Sequence, residues 1–335
     1  MLQQAKQLVR NYYECLDNAE LNDLETNTKD FLADQYLWRG YHPFNEQQSY
    51  TDVVSLFWQP LRQAFKHLQR REDIFMAGVN RLPEGKEGKG VWVVSMGHLM
   101  GLLDDSWLGI AATGKMTFLR YCEFHKVEGN KIVETAMYFD IPHVMMQAGL
   151  NPFPPMTGAQ LVQPGPITHT GLLYDEVDPV EGNKTIALID SMVDNISTWQ
   201  QEMSLEDELR QHWCEDMIWW GPTGIGASYT IERYAKQHSG PFRAGFKDRI
   251  FKGHLCRIAE GEFGGFFGWP NLTLEPTGGF MGMPATGKPG DLRVIDIYRR
   301  KGDKLAENWI FIDLLHFWNQ QGLDILDRMN QVPRT

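Results

Sequence analysis

Asp140 and Asp313 are the residues whose setting first suggests chemistry. Each closes a run with strand-like alternation, Lys131 to Phe139 and Lys304 to Ile312, and each precedes a short amphipathic stretch. Alternation puts Asp140 on one face with Ala136 and Tyr138, and Asp313 with Trp309 and Phe311. A carboxyl group in an aromatic-lined cavity is disfavoured as an anion, so its pKa should rise toward neutrality. Such a group can take a proton from the carbon beside a carbonyl and return it elsewhere, as the Asp base of ketosteroid isomerase does. The same position also has a structural use. An Asp where a strand hands over to a helix is a good N-cap, and Pro142 suits a first turn.

The preceding strands carry Glu123 with His125, and Asp296 with Tyr298, each pair sharing a face by alternation. A carboxyl beside a His or Tyr could polarise a carbonyl while the Asp moves the proton; the rival reading is a solvated outer face. His98, between Met96 and Met100, is a further pocket candidate, with Trp269 near the equivalent place. His143 and Gln147 are four apart, as are His316 and Gln320. That spacing can serve a metal, but no second His or carboxylate accompanies it, so capping and packing are expected and no metal site is assigned. Arg120 and Arg293 recur too, and an Arg set together with two carboxylates keeps a hydrolytic use of the acids open. Phosphate-loop and serine- or cysteine-nucleophile patterns are absent.

These residues recur because the stretch that holds them is repeated. Residues 112–150 and 285–323 align without a gap at an offset of 173, with 14 of 39 positions identical. Gly114/Gly287, Lys115/Lys288, Arg120/Arg293, Glu134/Glu307, Asp140/Asp313, His143/His316 and Gln147/Gln320 are among them. An internal duplication therefore predicts two domains, 1–150 and 183–335, with a Pro-rich connection over 151–182 that holds six prolines.

The elements follow the same order in each half. Leu2 to Leu16 has the period of an amphipathic helix, a second helix is expected from Asn22 through Tyr36 toward Trp38-Arg39-Gly40, and a third over Thr51 to Leu68. Strands are expected at Asp73–Leu82, Gly90–Met100, Met116–Val127 and Lys131–Phe139, with turns such as Glu84-Gly85-Lys86. In the second half, helices are expected over Thr185–Trp199, from Ser204 to Trp219-Trp220-Gly221, and from Ser228-Tyr229-Thr230. Strands should follow at Arg249–Ala259, Glu262–Trp269, Leu292–Arg300 and Lys304–Ile312. Helices first, then an antiparallel meander, indicate an α+β class.

Composition narrows the function. A net charge of −11 over 335 residues, with no basic stripe, argues against a nucleic-acid surface. No apolar run reaches the length of a membrane span, and the N-terminus does not read as a signal peptide. Cys15, Cys122, Cys214 and Cys256 are scattered, as reduced thiols of a cytoplasmic protein would be. An apolar fraction of 42%, with 11 Trp and 15 Met, suits a packed core or a broad apolar cavity.

The pattern Thr113-Gly114-Lys115, then Gly129, Lys131-Ile132, Glu134, Asp140 and Gln147-Ala148-Gly149-Leu150 resembles the SnoaL-like polyketide cyclase family, part of the nuclear transport factor 2-like superfamily. Its second occurrence is Thr286-Gly287-Lys288, Gly302, Lys304-Leu305, Glu307, Trp309, Asp313 and Gln320-Gln321-Gly322-Leu323. The resemblance implies two tandem cone-shaped α+β barrels, each a curved antiparallel sheet with about three helices around an apolar pocket. It implies acid/base catalysis of cyclisation, isomerisation or dehydration without a cofactor, on a small or medium apolar carbonyl compound. Asp140 and Asp313 would be the bases, with His98, Glu123, His125, Tyr138, Trp269, Asp296, Tyr298 and Trp309 around the ligand. The superfamily's breadth leaves a non-catalytic binder and an epoxide-hydrolase-like enzyme as alternatives. A tandem pair of this kind would form an intrachain pseudo-dimer, in a monomer or a homodimer.

Overall fold

A computed structural model describes residues 1–82, 90–198 and 203–331. The expected turn at Glu84-Gly85-Lys86 and the helix end at Trp199 lie outside them.

The first half builds β1 (Leu32–Gly40), β2 (Asn45–Gln47), β3 (Phe65–Val79), β4 (Val91–Leu103), β5 (Met116–Glu128) and β6 (Lys131–Phe139). They form one six-stranded sheet in the order β2-β1-β6-β5-β4-β3. The second half builds β7 (Trp213–Trp220), β8 (Ser228–Tyr229), β9 (Phe246–Phe251), β10 (Cys256–Glu260), β11 (Phe263–Phe267), β12 (Leu272–Pro276), β13 (Gly290–Leu292), β14 (Val294–Lys301) and β15 (Lys304–Ile312). Its six-stranded sheet runs β10-β11-β14-β15-β7-β8, the same order read from the other end, and β13-β12-β9 make a small third sheet. The long strands β3, β4 and β5 thus correspond to the broken pairs β9/β10, β11/β12 and β13/β14. Each large sheet is antiparallel except for one parallel pairing, β1 on β6 and β7 on β15. Neither closes into a continuous barrel; the helices complete each cone.

Two expected helices are short. Leu24–Thr28 and Leu205–Arg210 stop early, and the chain enters β1 and β7. Tyr36, Trp38 and Gly40 are buried at every second position, as are Met217 and Trp219, so aromatic period-two burial overrides the helical start. In both strands the indole folds back over the glycine two residues on. A Cβ at Gly40 would stand 2.1 Å from the Trp38 ring, and one at Gly221 would stand 1.9 Å from the Trp219 ring. Trp-x-Gly therefore recurs for a steric reason.

The third helix has the same three-part build in both halves. Tyr50–Val53, a π-helical turn Val54–Trp58 and Gln59–Ala64 match Ile231–Tyr234, a π-helical turn Ala235–Ser239 and Gly240–Gly245 at a constant offset of 181. Thr51–Leu68 is therefore helical only to Ala64, and β3 begins at Phe65.

The two large sheets meet through their outer faces. Phe267 of β11 packs on Trp92 of β4 and Phe124 of β5, with ring centroids 5.3 and 5.2 Å apart. Lys6, 1% exposed, crosses from the first helix to Glu260 of β10 at 2.5 Å, and the other carboxylate oxygen accepts the Ala77 N–H at 2.8 Å. The connection is stitched to both halves, Leu172 bridging to Phe75 and Ala159 to Ala227.

Candidate functional site: one closed cone and one open cone

Both faces of each large sheet are buried, one in its cone and one against the other half. The β5–β6 register pairs Cys122 with Tyr138 and Phe124 with Ala136, so Tyr138 shares a face with Phe124, which touches the other half. Tyr138 donates its hydroxyl to the Gly268 carbonyl at 3.0 Å. Trp309 donates its indole N–H to the Pro164 carbonyl at 3.1 Å, and Trp269 lies 3.7 Å beneath the Arg293 guanidinium. His98 is opposite Arg120 in register, with Nδ1 3.4 Å from Asp73. Expected in the pockets, Tyr138, Trp309 and His98 instead occupy the outer faces, and Trp269 sits in the turn between β11 and β12, with its ring 6.0 Å from that of Tyr138. Alternation groups neighbours on a face but leaves open which side of the sheet meets the cone.

Asp140 and Asp313 also sit at this junction, in reciprocal positions. Each caps its own helix: Asp140 accepts the His143 N–H at 3.0 Å, and Asp313 accepts the His316 N–H at 3.1 Å. Each also reaches across the chain. The Thr223 N–H donates to Asp140 at 2.9 Å, and the His42 N–H donates to Asp313 at 3.1 Å. His42 and Thr223 are themselves equivalent, 181 residues apart. Arg293 stands 3.5 Å from Asp313, while Arg120 hydrogen-bonds the Trp220 carbonyl at 3.1 Å and lies over the Phe311 ring. Burial, opposed by Arg293 and the two N–H groups, pushes the Asp313 carboxyl up to about 6. The residues around Asp140 enclose no water-sized volume, so this carboxylate–arginine pair has no chamber for an epoxide. Neither Asp lines the cavity of the second cone described below.

The repeated Gln residues are structural as well. Gln147 exchanges two hydrogen bonds with the Phe118 backbone, and Gln320 does the same with Asp291. Among the described residues no cluster of three or more His, Cys, Asp or Glu side chains could hold a metal.

Glu123 and His125 do face a cone, and that cone is filled. The first helix sends in Tyr13, whose hydroxyl donates to Glu123 at 2.7 Å and lies 2.7 Å from His125 Nε2. Arg70 donates to the same carboxylate oxygen at 2.8 Å, and His125 Nδ1 is 2.8 Å from the Thr135 hydroxyl. These bonds are consistent with one tautomer: Thr135 gives its proton to Nδ1, Nε2–H gives to Tyr13, and Tyr13 gives to Glu123. Burial, with Arg70 adding to it, holds His125 down at about 3, so the ring is neutral. Burial also raises Glu123, opposed chiefly by Arg70. Trp58, Tyr121 and Phe139, all within 2% of complete burial, occupy the remaining space.

The second cone keeps the scaffold and loses the filling. At the positions of Trp58, Tyr121 and Phe139 it has Ser239, Val294 and Ile312, which line a cavity of about 180 Å³. The acid equivalent to Glu123 is Asp296. Its Oδ1 accepts the Asn308 amide at 3.0 Å, and Asn308 replaces Thr135. Among the described residues no arginine or lysine bonds to it. Burial therefore dominates and pushes Asp296 up to about 7, opposed by hydrogen bonds from Asn308 and Tyr298 and by the distant charge of Arg120. Tyr298 stands where His125 stands in the first cone, and its hydroxyl is raised by burial and by Asp296. Arg243 at the rim is held by both oxygens of Glu208, at 2.7 and 2.8 Å. His238, on the π-helical turn, completes the wall and was not anticipated; a comparison of the two third helices at offset 181 would have found it, because it replaces Phe57.

No curated protein matches the chain. Among solved structures, it is similar to a protein from Jannaschia sp. CCS1 described as a SnoaL-like polyketide cyclase, at 16% identity over 46% of this chain and 94% of that one, with a TM-score of 0.36. Nuclear transport factor 2-like proteins from Burkholderia thailandensis E264 and Anabaena variabilis ATCC 29413 give 17% and 16% identity. They cover 44% and 39% of this chain and 98% and 90% of their own, with TM-scores of 0.32 and 0.31. The family model of the SnoaL-like polyketide cyclases matches residues 271–321, the segment that contains β14, β15 and Asp296. Over that segment the second half is similar to the SnoaL-like polyketide cyclases.

Proposed function

We propose that the second cone is the working site, and that it moves a proton beside a carbonyl group on a small, largely apolar compound with Asp296 as general acid/base. The observation that carries this reading is a buried carboxyl in an apolar cavity, with no cation bonded to it among the described residues, and pushed up to about 7. A base poised near the working pH is both partly ionised and strong enough to accept a carbon-bound proton.

The chemistry closes without a further reagent. The Asp296 carboxylate takes the proton from the carbon beside the carbonyl, and the electron pair of that C–H bond moves to the carbonyl oxygen, giving an enolate. Returning the proton to a different carbon is isomerisation. If the enolate carbon attacks a second carbonyl in the same molecule, a carbon–carbon bond forms and the new alkoxide takes the proton from Asp296; that is an aldol closure. Tyr298 and Asn308 hold the carboxyl in place. An apolar cavity of ~150 Å³ accepts a benzene-sized guest, so the 180 Å³ here suits a compound built on one ring.

In this reading the halves arose by duplication and form a pseudo-dimer within one chain. The first cone, its acid neutralised by Arg70 and its volume occupied, supports the second. Asp140 and Asp313 act as helix caps and cross-half anchors and take no part in the reaction.

The test does not depend on the identity of the natural substrate. A panel of one-ring ketones is incubated with the full-length protein in D2O, and deuterium entry beside the carbonyl is followed by NMR. Asp296→Asn should abolish protein-dependent exchange, while Asp140→Asn and Asp313→Asn retain it. Exchange that survives Asp296→Asn and is lost in either of the others would refute the assignment.

A further inference from the structure

His238 is the residue of the second cone that its counterpart in the first cone cannot imitate. Both occupy the same place in a π-helical turn, Phe57 in Val54–Trp58 and His238 in Ala235–Ser239. Turns of this kind inside helices collect at functional sites. Both rings lie against the indole of the preceding strand. Phe57 is 5.4 Å from Trp38 with 36° between the planes, whereas His238 is 3.9 Å from Trp219 and nearly parallel at 18°. Phe57 meets only apolar needs: Phe139 stacks on its other side at 4.9 Å. At the position of Phe139 the second half has Ile312, and the ring of His238 becomes part of the cavity wall instead.

A polar ring in this place is costly. His238 is 7% exposed, and its Nδ1 is sealed from solvent with no hydrogen-bond partner. Among the described residues neither ring nitrogen takes part in a hydrogen bond, and Nε2, which is not sealed, is the nitrogen available to the cavity. With no acceptor beside the sealed Nδ1, the ring proton belongs on Nε2, and that N–H is the group for which a bound compound can supply a partner. Phenylalanine would fill the same stack at no such cost, as the first cone demonstrates.

We infer that His238 contacts the bound compound, giving a hydrogen bond from its neutral imidazole to the ligand's carbonyl oxygen. This inference rests on the reading of the second cone as the working site and adds the group that receives the developing charge. When Asp296 removes the proton, the oxygen gains negative charge, and a donor already aimed at it is stabilising without needing to reorganise. The imidazole keeps its proton throughout; burial holds it at about 3, so it acts as a donor and not as an acid of ordinary strength.

The experiment uses two probes that differ in one group: phenol, with a hydroxyl oxygen, and toluene, with a methyl in the same place. Dissociation constants are measured at pH 8 on the full-length protein by NMR titration, for wild type, His238→Phe and His238→Gln. His238→Phe keeps the stack in the form that the first cone uses. It should weaken phenol about fivefold to tenfold while leaving toluene within about twofold, the size expected for one hydrogen bond. His238→Gln, which retains an N–H donor, should recover part of the phenol affinity. If phenol and toluene weaken equally in His238→Phe, or neither changes, the contact is overturned while the cavity reading stands. If wild type binds neither probe, the reading of the cone itself falls, and this inference falls with it. Should His238→Phe fail to fold, His238→Leu takes its place with the same two outcomes: a selective loss of phenol affinity supports the contact, and an unchanged phenol-to-toluene ratio overturns it.

Discussion

The two cones share strand order, a three-part third helix, a Trp-x-Gly corner and a capped final helix, yet one is packed shut and the other holds a cavity. What is identical between them is structural. Asp140/Asp313, Gln147/Gln320 and Gly40/Gly221 fix caps, sheet edges and turns. What differs lies inside. Arg70, Tyr13, His125 and Thr135 form one closed network around Glu123, whereas Asp296 keeps company with Asn308, Tyr298 and apolar walls. Recurrence within this chain therefore marks architecture, and divergence marks the difference between a filled cone and one with a cavity.

The largest effect that can break this contrast is in turnover. Asp296→Asn should lower proton exchange by about 10²–10⁴-fold, the usual contribution of a general acid/base, whereas Glu123→Gln should leave it within about twofold. Equal losses from the two changes would erase the functional distinction.

Stability should respond in the opposite sense. Glu123→Ala removes the fully buried partner of Arg70 and leaves it only Asp17, 3.1 Å away and nearer the surface; breaking a buried pair costs up to about 3–5 kcal/mol, measurable by urea denaturation. Asp296→Ala breaks no ion pair, and its cost should be far smaller.

The pH dependence sharpens the same point. Asp296 is raised from 3.8 to about 7 on folding, so between those values the folded protein retains a proton that the unfolded chain has released. Stability attributable to this group therefore falls as pH rises through that window, and Asp296→Asn should be the more stable protein at pH 8, by up to about 4 kcal/mol. Turnover should rise through about 7, where the carboxylate forms. A wild-type minus Asp296→Asn difference in stability that is flat from pH 4 to pH 8 would contradict the assigned environment.

The smallest effect tests the similarity. Asp140→Ala and Asp313→Ala each remove a cap and a cross-half bond, and each should cost about 1–3 kcal/mol. Their costs should be alike, since the two sites are arranged alike; a strongly unequal pair would show that the halves are not held symmetrically.

Much of this is legible in the amino-acid sequence. The gapless offset pairs β6 with β15, and both strands fall at the residues expected from alternation. Alternation also pairs Glu123 with His125 and Asp296 with Tyr298, as the strands do. Sidedness is not legible, because a sheet covered on both faces is apolar on both, and Tyr138 and Trp309 look as much like pocket residues as Asn308 and Ile310 do. The breaks that split the second half's strands, including β12 and β13, escape for a related reason: they follow from tertiary packing that no local period reports. His238 is hidden within a helical pattern, where a lone histidine carries little signal.

The junction has one further consequence. Asp140 completes its cap with an N–H from the other half, and Asp313 does so in return. Each half thus behaves as a subunit supplied in cis, present at a fixed ratio and at a concentration set by the tether instead of by expression. A half whose cone is filled is therefore still needed by the other. Its interior can be filled, as the first cone's is, but it must keep the His42 turn that finishes its neighbour's final helix.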